Sequence, residues 1–330
     1  MSEGLIDQYG RKLNYARIAI TDRCNLRCFY CMPDCGIDFV QRSDLLSYEE
    51  MERIIAILAG HGVGKIRVTG GEPLLRKGSI EFMDRIRKIE GVQNLHLTTN
   101  ATLTHRHLDE LLALELSSVN ISLDTLNEAR FLGITKRDGL DNVLKSIDNF
   151  LTHGIRLKIN MVVMPGINDM DILPMAEMAK EKAVEVRFIE EMPFNGKSHE
   201  HKMVWDHKRL KDLLIENYPE LKPEAMEHGS TAKLYKGKDW KGDLGIIAAF
   251  SRTFCGSCNR LRITPVGMLK TCLYDDGVLD LRALLRDGSS DTKIAEAVKL
   301  AVTSKPKNGF EAEANRSAAS PSESMATIGG

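Results

Sequence analysis

Between about residues 16 and 190, short apolar runs alternate with stretches whose apolar residues recur at helical spacing. Residues 16–20, 65–69, 94–98, 118–122, 156–163 and 184–189 are each short and rich in Ile, Val or Leu, as strands buried on both faces are. Between them, Ser47 and Glu50 fit a capping box, after which Met51, Ile54, Ile55 and Leu58 follow helical spacing until Gly60 and Gly62. A second helix places Leu140, Val143, Leu144, Ile147 and Leu151 on one face before Gly154. A third spans about 169–182, with Asn168 as its cap and Lys180 and Lys182 near its C-terminal dipole.

This alternation predicts an α/β fold with a parallel sheet. Six units rather than eight point to a partial (β/α)6 TIM-like barrel, with an open doubly wound sheet as the alternative. After Glu191 the alternation gives way to a charged segment, a Gly-punctuated run at 237–250 and a second group of cysteines. The expected division is a core at 8–228 and a C-terminal region at 229–330. The stretch from Lys305 to Gly330, rich in Ala, Ser, Glu and Asn, is expected to be mobile or held only by local contacts.

Charge and cysteine content narrow the chemistry. The 45 Lys plus Arg nearly balance the 46 Asp plus Glu, so no global field attracts nucleic acid or an anionic membrane, and neither is expected as a partner. The chain starts without a basic-then-apolar leader, and no apolar run approaches the ~20 residues needed to cross a bilayer; a cytoplasmic location is expected. Seven cysteines in a reducing compartment then suggest metal or redox chemistry rather than disulfides.

Cys24, Cys28 and Cys31 follow the first strand. Three thiolates on a short loop can hold three irons of a cubane cluster and leave a fourth open, while zinc, with Cys35 as fourth ligand, is the alternative. The C-x3-C-x2-C spacing, with Tyr30 before its last cysteine, resembles the defining motif of the radical S-adenosylmethionine superfamily. The resemblance implies that the open iron chelates S-adenosylmethionine and that Cys35 lies outside the motif. In a barrel, functional residues gather at the C-terminal ends of the strands. Gly70-Gly71-Glu72-Pro73, Thr98-Thr99-Asn100, Ser122-Leu123-Asp124, Lys158 and Glu190-Glu191-Met192 fall there or within the strands themselves. By the same resemblance, Tyr30, Gly71, Ser122 and Met192 line the S-adenosylmethionine pocket, Gly71 allowing close backbone approach.

Cys255, Cys258 and Cys272 form C-x2-C-x13-C. Zinc is again the alternative, but the last histidine is His228, which leaves a carboxylate such as Asp275 to complete a tetrahedral site. The superfamily core followed by this spacing, the intervening Asn259-Arg260-Leu261-Arg262 and the terminal Gly329-Gly330 resembles the GTP 3′,8-cyclase family. That resemblance implies two [4Fe-4S] clusters and S-adenosylmethionine. It also implies GTP as substrate, held by Arg17, Arg67, Thr98, Lys158, Arg260, Leu261 and Arg262, with Arg187 near it. The sequence lacks a G-x-x-x-x-G-K-[ST] loop, so arginines must meet the phosphates, and Arg260 and Arg262 point to one side of an extended segment.

The implied reaction abstracts the ribose 3′ hydrogen and joins C3′ to C8 of guanine; no side chain is assigned to catalysis, because the cofactors carry the chemistry. The glycine tail is implied to reach the active site. Implied partners are an electron donor such as a flavodoxin or ferredoxin and the next enzyme of the pathway, cyclic pyranopterin monophosphate synthase, with a homodimer admitted. The rival readings are a radical S-adenosylmethionine peptide-modifying enzyme and a non-catalytic zinc-stabilised binding module.

Overall fold

The computed structural model describes residues 4–32, 38–192, 203–316 and 324–328. The six expected strands form at β1 (Tyr15–Ala19), β2 (Lys65–Thr69), β3 (Asn94–Thr99), β4 (Ser118–Ser122), β5 (Leu157–Val163) and β6 (Val184–Glu190), differing from expectation by a residue at some ends. Six more follow: β7 (Lys222–Pro223), β8 (Ala232–Lys236), β9 (Asp243–Ile247), β10 (Arg260–Ile263), β11 (Met268–Lys270) and β12 (Leu279–Asp280). All twelve lie in one sheet, ordered β12-β11-β10-β1-β2-β3-β4-β5-β6-β9-β8-β7. The run from β10 through β1–β6 to β9 is parallel, and antiparallel strands extend both ends.

The partial barrel is therefore wider than six units. Strands from residues beyond 228 flank it on both sides, so the segments 8–228 and 229–330 share one sheet. The missing signal was spacing: β9 and β10 are short and lack a regular preceding helix, and each finds its place by pairing with an edge left by β6 or β1.

Helices α1 (Tyr48–Ala59), α2 (Ser79–Arg87), α3 (Leu108–Ala113), α4 (Glu128–Thr135), α5 (Leu140–Thr152) and α6 (Ile172–Glu181) connect the first strands. They are followed by α7 (His207–Asn217), α8 (Leu281–Arg286), α9 (Asp291–Thr303), α10 (Gly309–Ala314) and α11 (Met325–Ile328). The capping box forms as read: Ser47 Oγ accepts from Glu50 N at 3.1 Å, and Glu50 Oε2 accepts from Ser47 N at 2.7 Å. On α5 the buried positions include Ser146 and Phe150 as well as Leu140, Val143 and Ile147.

Asn168 does not cap α6. Its Oδ1 accepts from Met164 N, and its Nδ2 donates to the carbonyls of Asp124 and Val162, so it joins the ends of β4 and β5 instead. The region from Lys305 is likewise not held by local contacts alone. Lys305 is buried, Gln8 donates to its carbonyl, and Arg11 donates to the carbonyls of Pro306 and Lys307. Arg11 is itself fixed by Asp7 at 2.5 Å. The buried ion pair holds Arg11 where it ties residues 305–307 to the N-terminal segment; residues 317–323, 329 and 330 of the expected loose tail lie outside the described residues.

Strand alternation divides the sheet into two faces. Ala16, Ile18, Ile66, Val68, Leu97, Val119, Ile121, Ile159, Val186 and Leu261 face the helices and form the core. The opposite face carries the chemistry.

Candidate active site

The inward positions of the parallel strands are polar. Pairing register sets Arg262 beside Arg17 and Arg17 beside Arg67, with Arg260 and Lys65 on either side of Tyr15 one step below. Lys158 and Arg187 add cations from β5 and β6, with Glu185 between them at 3.2 Å from Lys158 Nζ and 2.5 Å from Arg187 Nε. Neighbouring cations outweigh burial at Tyr15: burial pushes the phenol up, but Arg67, Arg17, Arg260 and Lys65 bring it down to about 6. Arg67 Nε donates to that oxygen at 2.7 Å. Burial and then Arg187 lower the Lys158 ammonium to about 8.

Above these cations a cavity of about 350 Å³ opens at the C-terminal ends of the strands. Both cysteine triplets line it. So do Arg17, Tyr30, Gly71, Thr98, Ser122, Arg187, Met192, Arg260 and Arg262. Arg67 and Lys158 are not in its wall and lie deeper on the same face. Leu261 is not brought to the cavity at all: it is fully buried in the core on the opposite side of β10, because strand alternation turns it away from Arg260 and Arg262. Cys35, Gly329 and Gly330 lie outside the described residues.

The first cysteine loop is held by backbone continuation of the β1–β2 pairing beyond the strand ends. Gly71 N donates to Thr21 O and Glu72 N to Arg23 O, each at 2.8 Å. A Cβ on Gly71 would lie 2.5 Å from the Arg23 carbonyl carbon and 3.0 Å from Asp22 O. The close approach that glycine permits is thus made to the loop one residue before Cys24. Glu72 turns inward, accepting from Leu74 N, Thr99 Oγ1 and Asn100 N, and burial raises its carboxyl to about 7. Tyr30 OH donates to Asp124 Oδ2 at 2.7 Å, fastening the loop to the end of β4.

Burial raises Cys24 to about 11 and Cys31 to about 12, and lifts Cys28 well above its ordinary value, with neighbouring acids or thiolates adding to the effect. Such thiols become thiolates only with a bound cation. Leu26 N and Asn100 Nδ2 donate to Cys24 Sγ at 3.4 and 3.7 Å. The second triplet differs in sign. Burial raises Cys255 and Cys272, but Lys305 and Arg260 overcome burial at Cys258 and lower it to about 7.

All six of these thiols are free. Among the described residues, no three His, Cys, Asp or Glu side chains are grouped to hold a metal ion. A cubane asks less of them, since each thiolate reaches a different iron. Asp275, the carboxylate available to complete a zinc site, is already engaged: its Oδ2 accepts from Thr271 N, Thr271 Oγ1 and Cys272 N. Unpartnered buried atoms in the cavity wall, Asn120 Oδ1, Asn160 Oδ1 and Arg260 Nη1, mark a surface shaped for a polar ligand. The donor sets fit two iron–sulfur clusters and a charged nucleotide.

Sequence reasoning missed Asn120, Asn160 and Arg252. The asparagines were detectable, being polar residues at inward positions of otherwise apolar strands. Arg252 had no such signal. Its guanidinium lies 3.7 Å from the Tyr274 ring centroid and 4.2 Å from that of Phe310, and its Nη2 donates to Glu313 Oε2 at 2.7 Å.

Residues 18–179 match the Radical SAM superfamily, and residues 184–311 match Molybdenum Cofactor Synthesis C. The GTP 3′,8-cyclase of Heliobacterium modesticaldum is 40% identical over 305 residues, which cover 92% of this chain and 93% of that protein. The chain belongs to the GTP 3′,8-cyclase family. Molybdenum cofactor biosynthesis protein 1 of Dictyostelium discoideum is 43% identical over 91% of this chain, and the chain spans 48% of that longer relative. The structure of Streptococcus suis SuiB bound to S-adenosylmethionine resembles this one in fold, with a TM-score of 0.59 at 15% identity over 79% of this chain and 60% of that one. Each of the two matched regions contains one cysteine triplet, and the two triplets line one cavity.

Proposed function

We propose that this chain is a radical S-adenosylmethionine enzyme that cyclises GTP to (8S)-3′,8-cyclo-7,8-dihydroguanosine 5′-triphosphate in molybdenum cofactor biosynthesis. One observation carries the reading: two thiol triplets and a cationic inner face open into a single cavity. Cys24, Cys28 and Cys31 would hold the cluster that binds S-adenosylmethionine, and Cys255, Cys258 and Cys272 a second [4Fe-4S] cluster beside the base.

When bound, S-adenosylmethionine and its cluster supply the 5′-deoxyadenosyl radical that takes the ribose 3′ hydrogen. The chain binds, orients and excludes water. Tyr30, Gly71, Ser122 and Met192 would bind S-adenosylmethionine, Met192 from the side of Cys272 and Tyr274, while Arg17, Arg67, Lys158, Arg260 and Arg262 would neutralise a triphosphate from several strands. Thr98 also lines the cavity. Residues 8–228 would form the core that holds S-adenosylmethionine and, through Arg17, Arg67, Thr98 and Lys158, part of the substrate, while 229–330 would carry the second cluster and the remaining substrate arginines. A one-electron donor such as a flavodoxin or ferredoxin and the next enzyme of the pathway, cyclic pyranopterin monophosphate synthase, are the partners. Among the described residues no helix is long and apolar enough to cross a membrane, consistent with work in the cytoplasm.

The test is to incubate reduced, anaerobically reconstituted protein with S-adenosylmethionine, with and without GTP, and measure 5′-deoxyadenosine. GTP-dependent formation is expected. Formation independent of GTP would sink the substrate assignment.

A further inference from the structure

Lys305, two residues beyond α9, is 2% exposed. No Asp or Glu of the described residues forms an ion pair with its ammonium. Nζ donates instead to two backbone carbonyls, Arg260 O at 3.2 Å and Thr271 O. Those residues border the second triplet: Arg260 lies two positions after Cys258, and Thr271 immediately precedes Cys272. The third member, Cys255, is fixed through its own carbonyl, which accepts from Arg11 Nη1 at 2.9 Å. The same nitrogen donates to Lys307 O, so the segment carrying Lys305 and the loop carrying Cys255 share one anchor. Arg11 is neutralised by Asp7, whereas Lys305 has no such partner.

A buried ammonium without a counter-anion is strongly destabilising. Carbonyls solvate Lys305 but do not cancel its charge, and Asp275 is already taken up by Thr271 N, Thr271 Oγ1 and Cys272 N. The groups that answer to Lys305 are thiols. Burial opposes ionisation at Cys255, Cys258 and Cys272, and at all three the Lys305 charge pulls the other way. The first triplet has the reverse surroundings: after burial, Glu72 at Cys24 and Asp124 at Cys28 resist ionisation further. Three thiolates leave a [4Fe-4S] cluster anionic, and its negative charge grows on one-electron reduction. A fixed cation beside it therefore favours the reduced form.

Resting on the reading that Cys255, Cys258 and Cys272 hold a [4Fe-4S] cluster, we propose that Lys305 is the buried counter-cation of that cluster. It is a positioning residue that joins the Cys258 and Cys272 segments through their carbonyls and holds the cluster's reduction potential up. The step it biases is uptake of one electron and no proton, supplied in the test by dithionite.

The test is a dithionite redox titration of the anaerobically reconstituted full chain, followed by electron paramagnetic resonance, in the wild type, Lys305→Met, Lys305→Gln and Lys305→Arg. Cys255→Ala assigns the signals, because it removes the second cluster's midpoint. Lys305→Met should make reduction of the second cluster about tenfold less favourable, about 60 mV for one electron, and leave the first cluster within about twofold. Lys305→Gln, whose amide keeps a donor but no charge, should shift with it, and Lys305→Arg should stay within about twofold of wild type. A second midpoint unmoved in both neutral variants, or shifted equally in Lys305→Arg and Lys305→Gln, overturns the counter-cation. If Lys305→Met does not hold the second cluster, Lys305→Gln and Lys305→Arg decide. If neither neutral variant holds it, thermal unfolding of the iron-free chain decides: there the charge has no anion to meet, so the neutral variants should match or exceed the wild type, and a lower melting temperature overturns the proposal. A wild type that takes up only about four irons, or shows no midpoint lost in Cys255→Ala, overturns the cluster reading and the proposal with it, whereas an assigned second midpoint that ignores Lys305 overturns the proposal alone.

Discussion

Replacing Gly71 by Ala should detach the first cysteine loop. The added methyl would sit 2.5 Å from the Arg23 carbonyl carbon and closer still to its oxygen, with Asp22 O at 3.0 Å. These are backbone atoms and cannot swing aside, so the segments must separate. Separation strains the bonds from Gly71 N to Thr21 O and from Glu72 N to Arg23 O. Overpacking costs about 1–3 kcal/mol and each lost backbone hydrogen bond about 1 kcal/mol, giving about 3–5 kcal/mol in all. For a chain of this size that is a fall in melting temperature of about 4–7 °C. Because Cys24 follows Arg23 directly, the variant should also lose iron from the first site. Thermal unfolding and iron content after anaerobic reconstitution measure both effects. The control is Gly133→Ala, on the exposed side of α4 where an added Cβ meets nothing within 4 Å; it should be neutral or gain up to about 1 kcal/mol from helix propensity. Wild-type iron content and melting temperature in Gly71→Ala would refute the close-approach argument.

Other expectations follow from the same geometry. Cys255→Ala should lower iron from about eight to about four per chain, retain S-adenosylmethionine binding and lose the cyclised product; unchanged turnover would count against a second cluster at the substrate. Tyr15 should show a tyrosinate absorbance that rises through about pH 6 and is missing in Tyr15→Phe. Because its folded pKa is depressed below the unfolded value near 10, its contribution to stability should grow as pH rises from about 6 to 10 and be lost as pH falls through 6, which the difference between wild-type and Tyr15→Phe denaturation midpoints across that window can check. Arg11→Met should leave Asp7 buried without its cation and destabilise the chain by about 3–5 kcal/mol, measured by denaturant titration; a change below about 1 kcal/mol would contradict the burial of that pair.

Much of this arrangement could be read from the sequence because local pattern and tertiary role agree in it. The six first strands are apolar on their outer positions, and the capping box before α1 is a purely local device, so both are visible without partners. The cysteines carried their own spacing. What escaped detection depends on distance along the chain. The strands β9 and β10 are recognisable only by the edges they complete, and Pro306 and Lys307 look loose by composition yet are held by Arg11, nearly three hundred residues earlier. Leu261 illustrates a different limit. Resemblance carried over a three-residue segment as one unit, whereas alternation along β10 sends its middle side chain into the core. The two inward asparagines were open to the same alternation argument, but their meaning emerges only beside the cations of adjacent strands.

The pairing of β10 with β1 bears on how the molecule is made. Tyr15 lies opposite Arg260, so the strand synthesised first acquires one of its two neighbours only after most of the chain has left the ribosome. Until then β1 offers a row of unsatisfied backbone groups beside a loop of exposed thiols. Such distant contacts make folding slow. A nascent or truncated chain ending short of β10 would therefore expose its oxygen-sensitive cysteines and its stickiest edge together, a hazard that chaperone protection and timely iron delivery would have to meet during synthesis.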